Sequence, residues 1–329
     1  MLVNRQPDPG SHRLPVSLIL AVSMTAAGVV YPVTDAALHH TSPIMIATLR
    51  ALVGGVLLTA MLPLMRSRLP RSRGLWLWAA AIGFGNTTLT QVGISVGTDR
   101  AGSAVAAVLL NSSPFFVALM ARFVLAEPIT RLRAAGLVVG FAGVLLVVFA
   151  DPGSIAHGSR LVIGFVLALL GALGWAGGGL GMRVLTQREP DLDIAGITAA
   201  QFLAGSVPLI PLVLLAGGST AWGRPTLIAQ FVYLIIGGQV LVYVGFNAAL
   251  SRWPSTRVYA WTFLVPVVAV LVDAARGTLP GLTATVGIAI VIAGVAIVNL
   301  PRAESPDVDS TRMHPIHDEA PVPPVSPVS

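Results

Sequence analysis

The sequence predicts an all-α integral membrane protein, with ten transmembrane helices arranged as two inverted five-helix repeats. Three observations carry that expectation. The 329-residue chain is 55% hydrophobic and only 10% charged, with a mean hydropathy of +0.82, whereas a water-soluble domain carries about 25% charged residues. Apolar blocks recur at near-regular spacing, each long enough at about 1.5 Å per residue to cross a hydrocarbon core of about 30 Å. Features of the first half also return in the second at a fixed offset, after an odd number of blocks.

The blocks run Leu14 to Tyr31, Pro43 to Met65, Gly74 to Gly97, Gly102 to Leu125 and Leu132 to Ala150 in the first half. In the second they run Leu161 to Leu185, Ile194 to Ala216, Leu227 to Leu250, Ser255 to Asp273 and Pro280 to Leu300. Residues 1–13 read as a cytoplasmic tail, 14–150 as the first repeat, 151–160 as an external linker and 161–300 as the second repeat. The first block follows an arginine-bearing leader, but nine further blocks favour a retained helix over a cleaved signal peptide. From Pro301 the chain turns proline-rich and acidic and cannot bury a core, so 301–329 reads as a disordered cytoplasmic tail rather than a metal site built on His314 and His317.

Inventory excludes several chemistries. There is no cysteine, hence no disulfide, thiolate nucleophile or zinc finger, and all 20 basic residues are arginine, hence no Schiff-base or phosphate-loop lysine. The net charge of +6 is spread between apolar blocks rather than gathered in one stripe, which argues against nucleic acid as a partner. With the N-terminus inside, fifteen arginines fall in cytoplasmic segments. Only Arg100, Arg160, Arg224 and Arg276 fall on the opposite side, and Arg50 alone lies within a block. Positive charge is retained on the cytoplasmic side during insertion, so both termini are expected there, in the plasma (inner) membrane.

The repeat is legible residue by residue. Ala142-Gly143-Val144 returns as Ala293-Gly294-Val295 and Gly136 as Gly287, at an offset of 151. Ser113-Pro114-Phe115-Phe116-Val117-Ala118 returns as Val265-Pro266-Val267-Val268-Ala269-Val270, and Gly93 and Ser103 return as Gly245 and Ser255, at an offset of 152. Five spans per half send the second half into the membrane from the other side, the plan of many secondary transporters.

The segment Asn111 to Phe149, with Ser113 through Ala118, Leu125-Ala126-Glu127-Pro128 and Gly136 through Val144, resembles the fourth and fifth helices of the EamA-type repeat of the drug/metabolite transporter superfamily. Gly164 through Trp175, Tyr243 through Arg252 and Val265 through Val295 are similar to that family's sixth, eighth and last two helices. The resemblance covers about residues 14 to 300 and implies a ten-helix inverted-repeat carrier with cytoplasmic termini. One position departs from it: Glu127 in the first half aligns with Thr278 in the second.

Polar side chains inside spans are costly and face a cavity or a partner rather than lipid. Arg50, roughly 12 Å deep by helical rise, costs about 2.5 to 3.5 kcal/mol to insert. It is expected either to grip a substrate carboxylate with its planar fork or to be held internally, by Asp35 or by a helix carbonyl. Gln201 is its repeat equivalent. Asn86, Gln91, Asn111, Trp175, Gln239, Tyr243, Asn247, Tyr259 and Trp261 are further pocket candidates, each with a plain helix-to-helix or packing role as its alternative. Pro114 and Pro266 free carbonyls that could line a cavity or form a gating bend. Glu127 before Pro128 reads as a helix-start residue at a positive dipole end, grouped with Asp35 as a gating or coupling candidate. Spans five and ten have no mid-span polar residue, and Gly136, Gly140, Gly143, Gly287 and Gly294 suit close packing against a neighbour.

No histidine lies within a span, and no catalytic motif is present, so an enzyme is not expected; neither is a cofactor or metal. The expected function is secondary transport of a small organic metabolite, amino-acid-like or drug-like, by alternating access, with export as the first reading. The expected partners are the lipid bilayer and a small-molecule substrate. A channel and a non-transporting receptor or scaffold are the alternatives.

Overall fold

The computed structural model describes residues 15–127, 129–148, 159–216, 220–275 and 281–300, and among them every regular element is helical. Span one is Val16–Leu38 and span two Pro43–Met61. Span three joins Arg73–Gly83, a π turn Phe84–Leu89 and Thr90–Ala101. Span four is broken into Ser103–Leu110 and Ser113–Val124, and span five is Arg131–Val148. Span six is Ser159–Arg188, and span seven is Ile194–Ser206 followed by Leu209–Ala216. Span eight joins Pro225–Ile235, a π turn Ile236–Leu241 and Val242–Leu250. Span nine joins Ser255–Ala260, a 3₁₀ turn Trp261–Phe263 and Leu264–Ala275, and span ten is Leu282–Asn299.

Two boundaries differ instructively from the sequence reading. Span one continues past Tyr31 to Leu38 with Pro32 inside it. In a bilayer the neighbouring helices can re-satisfy what a proline frees, so Pro32 does not stop the helix. Span six already starts at Ser159, inside the expected linker. The rest of that linker and the tails 1–13 and 301–329, with His314 and His317, lie outside the described residues.

The repeat is visible in the irregularities. The π turns Phe84–Leu89 and Ile236–Leu241 coincide at the same offset of 152 that relates Gly93 to Gly245. Spans four and nine are both interrupted just before their repeat-related prolines. Pro114 stands in the first turn of Ser113–Val124, and Pro266 is the third residue of Leu264–Ala275. In span four the helix stops at Leu110 and restarts at Ser113, whereas in span nine it passes without a gap through the 3₁₀ turn Trp261–Phe263. A proline lacks the N–H that the first turn of a helix leaves unused in any case.

Small residues set the closest crossings. Gly93 of span three lies against Gly171 of span six, where an added Cβ would come within 2.8 Å of the Gly171 Cα. Spans five and ten pack against each other: a Cβ on Gly143 would lie 2.8 Å from the Gly287 carbonyl oxygen, and one on Gly136 would lie 3.0 Å from that of Gly294. Leu137, Val144, Val291, Val295 and Val298 close this pair into its own apolar cluster, apart from the large central one. On the outside, Leu77, Phe123, Leu214 and Leu215 are 72%, 80%, 77% and 85% exposed. Water would penalise such a surface, and lipid would not.

At the arginine-rich end, Asp193 caps span seven by accepting from Gly196 N at 2.9 Å, and its other oxygen accepts from Arg68 N at 2.7 Å, pinning the loop between spans two and three. The Gly294→Ala variant is expected to lower the melting temperature in detergent by the equivalent of about 1–3 kcal/mol, because its Cβ would fall on the Gly140 backbone. Gly74→Ala, which meets nothing within 4 Å, is expected to leave the melting temperature unchanged or slightly raised.

Candidate functional site

A π turn shifts the helical hydrogen-bond register and leaves carbonyls in search of donors. At the two repeat-related π turns those donors are side chains. Tyr243 donates its hydroxyl to the Asn86 carbonyl at 2.6 Å, and Arg50 Nη2 donates to the Gly238 carbonyl at 3.1 Å. Asn86 and Gly238 are themselves related by the offset of 152, so the same backbone position in each repeat is met by a different side chain. Gly238 has to be glycine for this approach, since a Cβ there would lie 2.6 Å from a Val30 methyl and 3.5 Å from Arg50 Nη2.

Arg50 is only 1% exposed, and its Nε and Nη1 have no hydrogen-bond partner. It lines a central cavity of about 70 Å³ together with Met24, Tyr31, Thr90, Asn111, Ser113, Trp175, Gly238, Tyr243 and Thr262. That volume equals about two waters at ~30 Å³ each, far below the roughly 300 Å³ or more of a site that encloses an organic ligand. In this arrangement of the bundle the cavity is too small to take up an organic ligand whole.

Around it the polar candidates form a network. Gln91 Nε2 donates to Gln239 Oε1 and, at 3.4 Å, reaches the Tyr243 hydroxyl. Gln91 and Tyr243 are repeat equivalents, so this contact lies where the two halves meet symmetrically. Trp175 stands edge-on to Tyr243 with ring centroids 5.0 Å apart and tilts against Phe246 at 4.8 Å. Asn111 sits at the break in span four and donates Nδ2 to the Ala107 carbonyl at 2.7 Å. The Asn86 and Gln201 side chains are buried with their amide atoms unpartnered.

Other candidates are not brought to the cavity wall. Asn247 donates to Thr198 Oγ1 at 3.0 Å, tying span eight to span seven. Tyr259 is buried and donates its hydroxyl to the Trp175 carbonyl, behind the ring that lines the cavity. Trp261 Nε1 reaches Asn299 Oδ1 at 3.4 Å, and the same oxygen takes Arg257 Nε at 2.9 Å. Asp35 is exposed in the last turn of span one, and Arg50 forms no ion pair with it. Span two instead directs Arg50 into the bundle, toward the π turn of span eight.

Glu127 occupies a helix start, although of a different helix from the one that follows it. Its carboxylate accepts from Ser255 N at 3.1 Å and from Thr256 Oγ1 at 3.5 Å, at the N-terminus of span nine. Ala126 before it takes a positive φ of 52°, which turns the chain across. Arg183 Nη1 donates to the Leu250 carbonyl at 2.9 Å, at the end of span eight. An anion at a helix N-terminus and a cation at a C-terminus each complement the macrodipole. Together they fasten the hairpin between spans eight and nine.

The sequence profile of the EamA-like transporter family matches residues 14–149 and again 162–300. The chain belongs to the EamA-like transporter family. It is 25% identical over 292 residues to the uncharacterized transporter YvbV of Bacillus subtilis, covering 86% of this chain and 91% of that one. It is 27% identical over 281 residues to the probable amino-acid metabolite efflux pump of Salmonella typhimurium, covering 82% and 90%. To the uncharacterized inner membrane transporter YedA of Escherichia coli it is 28% identical over 256 residues, covering 76% and 79%. A crystal structure superposes with a TM-score of 0.73 at 17% identity, covering 86% of this chain and 96% of that one, and shares the fold. This EamA-like protein is therefore a multi-pass membrane transporter and not an enzyme.

Tyr31, Thr90, Ser113 and Thr262 escaped the sequence reading of this EamA-like chain. The apolar block places Tyr31 at the boundary of span one, and its signal is the continuation of that block beyond Pro32. Thr90 and Thr262 carry little signal, because a small hydroxyl in a span can bond its own helix, as Thr90 does to the Gly85 carbonyl at 3.0 Å and Thr262 to the Tyr259 carbonyl at 2.8 Å, whereas the buried Ser113 hydroxyl has no partner. The Glu127→Ala variant is expected to destabilise the protein by about 1 kcal/mol. Glu127→Gln, which keeps an acceptor oxygen, should recover roughly half of that in thermal unfolding.

Proposed function

We propose that this protein is a secondary carrier that exports a small organic metabolite from the cytoplasm by alternating access, binding it in the cavity at Arg50. The observation that carries the reading is a buried guanidinium with two donor nitrogens unsatisfied, facing an otherwise largely apolar cavity. A substrate carboxylate supplies the acceptors that such a fork lacks. Trp175 and Tyr243 offer ring surface to the rest of the molecule. Gln91, Gln239, Asn86 and Gln201 form a polar shell that re-pairs as the bundle opens, and Asn111 sits beside the break in span four. Asn247, Tyr259 and Trp261 act as architectural contacts. The break before Pro114 and the 3₁₀ turn before Pro266 serve as the bending points, Glu127 and Arg183 hold one end of spans eight and nine, and Asp35 lies at the mouth of span one.

Export is supported by the 27% identical relative described as a probable amino-acid metabolite efflux pump, and the plasma-membrane location by the inner membrane transporter of Escherichia coli. The arginine asymmetry supports a cytoplasmic position for both termini. Among the described residues the cavity is lined by neither a ring of charge nor a carbonyl filter, which favours a carrier over a channel.

Counterflow of a metabolite panel in proteoliposomes tests the reading. Accelerated exchange of at least one carboxylate metabolite is expected, and Arg50→Lys should express normally yet transport at least about tenfold more slowly, because a point charge replaces the bidentate fork. Exchange unaffected by Arg50→Lys would remove Arg50 from the substrate site. Topology has its own check. An Arg71→Cys variant of this cysteine-free chain should resist an impermeant thiol reagent in intact cells and react once the membrane is opened.

A further inference from the structure

The charge balance of the cavity specifies more than a carboxylate. Arg50 is 1% exposed and spends only Nη2 on the protein, at the Gly238 carbonyl. No described aspartate or glutamate lines the cavity, which is walled by Met24, Val30, Ile94, Leu110 and Val265 among others. Arginine does not lose its proton in proteins, so the empty cavity holds one uncompensated positive charge in a low-dielectric setting. A monoanion brings the occupied cavity to zero. A zwitterionic amino acid leaves it at plus one and sets an ammonium beside the guanidinium. An ammonium would meet only neutral acceptors there, such as the buried Ser113 hydroxyl, and no described lining carboxylate is present to balance its charge.

We infer that the cavity selects organic monoanions with an apolar or aromatic body and no free ammonium group, and that their export is driven directly by the inside-negative membrane potential. The inference rests on the carrier reading above and narrows it. The class comprises 2-oxo acids, N-acylated amino acids and simple carboxylic acids. Carrying one of them outward moves one negative charge per cycle. At 100 mV, inside negative, that charge favours the outside by about fifty-fold at equilibrium. No coupling ion has to be carried, and no described carboxylate lines the cavity to hold one.

Three compounds sharing one phenyl ring separate the possibilities: phenylpyruvate as the anion, phenylalanine as the zwitterion and phenethylamine as the cation. Thermal unfolding of the whole purified protein should shift upward with phenylpyruvate at concentrations where the other two have no effect. That shift should vanish in Arg50→Gln. In proteoliposomes, a valinomycin-set potassium diffusion potential of 100 mV, inside negative, should deplete labelled phenylpyruvate from the lumen by about fifty-fold, whichever way the protein is inserted. Reversing the potential should reverse the gradient.

Stabilisation by phenylalanine equal to or greater than that by phenylpyruvate would overturn the substrate class while leaving the carrier reading intact. A phenylpyruvate distribution indifferent to the potential would overturn the energetics. Failure of all three compounds to bind would overturn the monoanion assignment. The counterflow panel, run with zwitterionic and cationic metabolites beside the anions, decides the carrier reading separately. The comparison among the three compounds is made on the unaltered protein, so it holds even if Arg50→Gln folds poorly.

Discussion

Inside a bilayer no water is available to accept or donate a hydrogen bond, so every backbone carbonyl released from a helix has to be met from within the protein. The centre of this molecule is arranged around two such carbonyls. The π turns at Phe84–Leu89 and Ile236–Leu241 are met at Asn86 and Gly238 by the donors of Tyr243 and Arg50. Those two bonds bring spans two, three and eight together and leave Arg50 with two nitrogens free. The cavity follows from that arrangement, since Tyr31, Trp175 and Tyr243 close around a guanidinium already held by one hand.

The duplicated backbone carries unlike side chains, and the difference is where chemistry enters. Arg50 corresponds to Gln201, Gln91 to Tyr243 and Asn86 to Gly238. Backbone geometry repeats across the halves, while charge does not. A symmetric frame with one cation has a single electrostatic centre rather than two, and Gln201 stays buried with its amide unpartnered on the other side. An inverted repeat supplies two equivalent ways of opening, and the unpaired amides of Asn86 and Gln201 are groups for which a second arrangement offers new partners.

The periphery is built on different physics. Spans five and ten meet through glycines and branched aliphatics, with backbone-to-backbone approach in place of polar contacts. Glu127 and Arg183 work through helix ends, one at the start of span nine and the other at the end of span eight. Neither group faces the cavity. Their contacts set the position of the hairpin that carries Tyr243, Tyr259 and Thr262.

Composition, block length and the offset of about 151 residues determined the solvent, the number of spans and the inverted duplication, because each is a property of residues counted along the chain. The same reading separated the polar spans from spans five and ten and singled out Arg50 as the one charge within a block. Tertiary structure decided what each polar side chain meets. The sequence leaves Arg50 between a substrate, Asp35 and a helix carbonyl, and periodicity cannot tell that the Gly238 carbonyl is the one it meets, because the π turn that offers it is a departure from helical regularity. Nor can it tell that Glu127 caps span nine, because the cap joins residues more than a hundred positions apart. Asn247, Tyr259 and Trp261 look like Asn111, Trp175 and Tyr243 in sequence. Helix rotation and crossing separate the cavity wall from the packing behind it, and both arise from contacts between spans rather than within them.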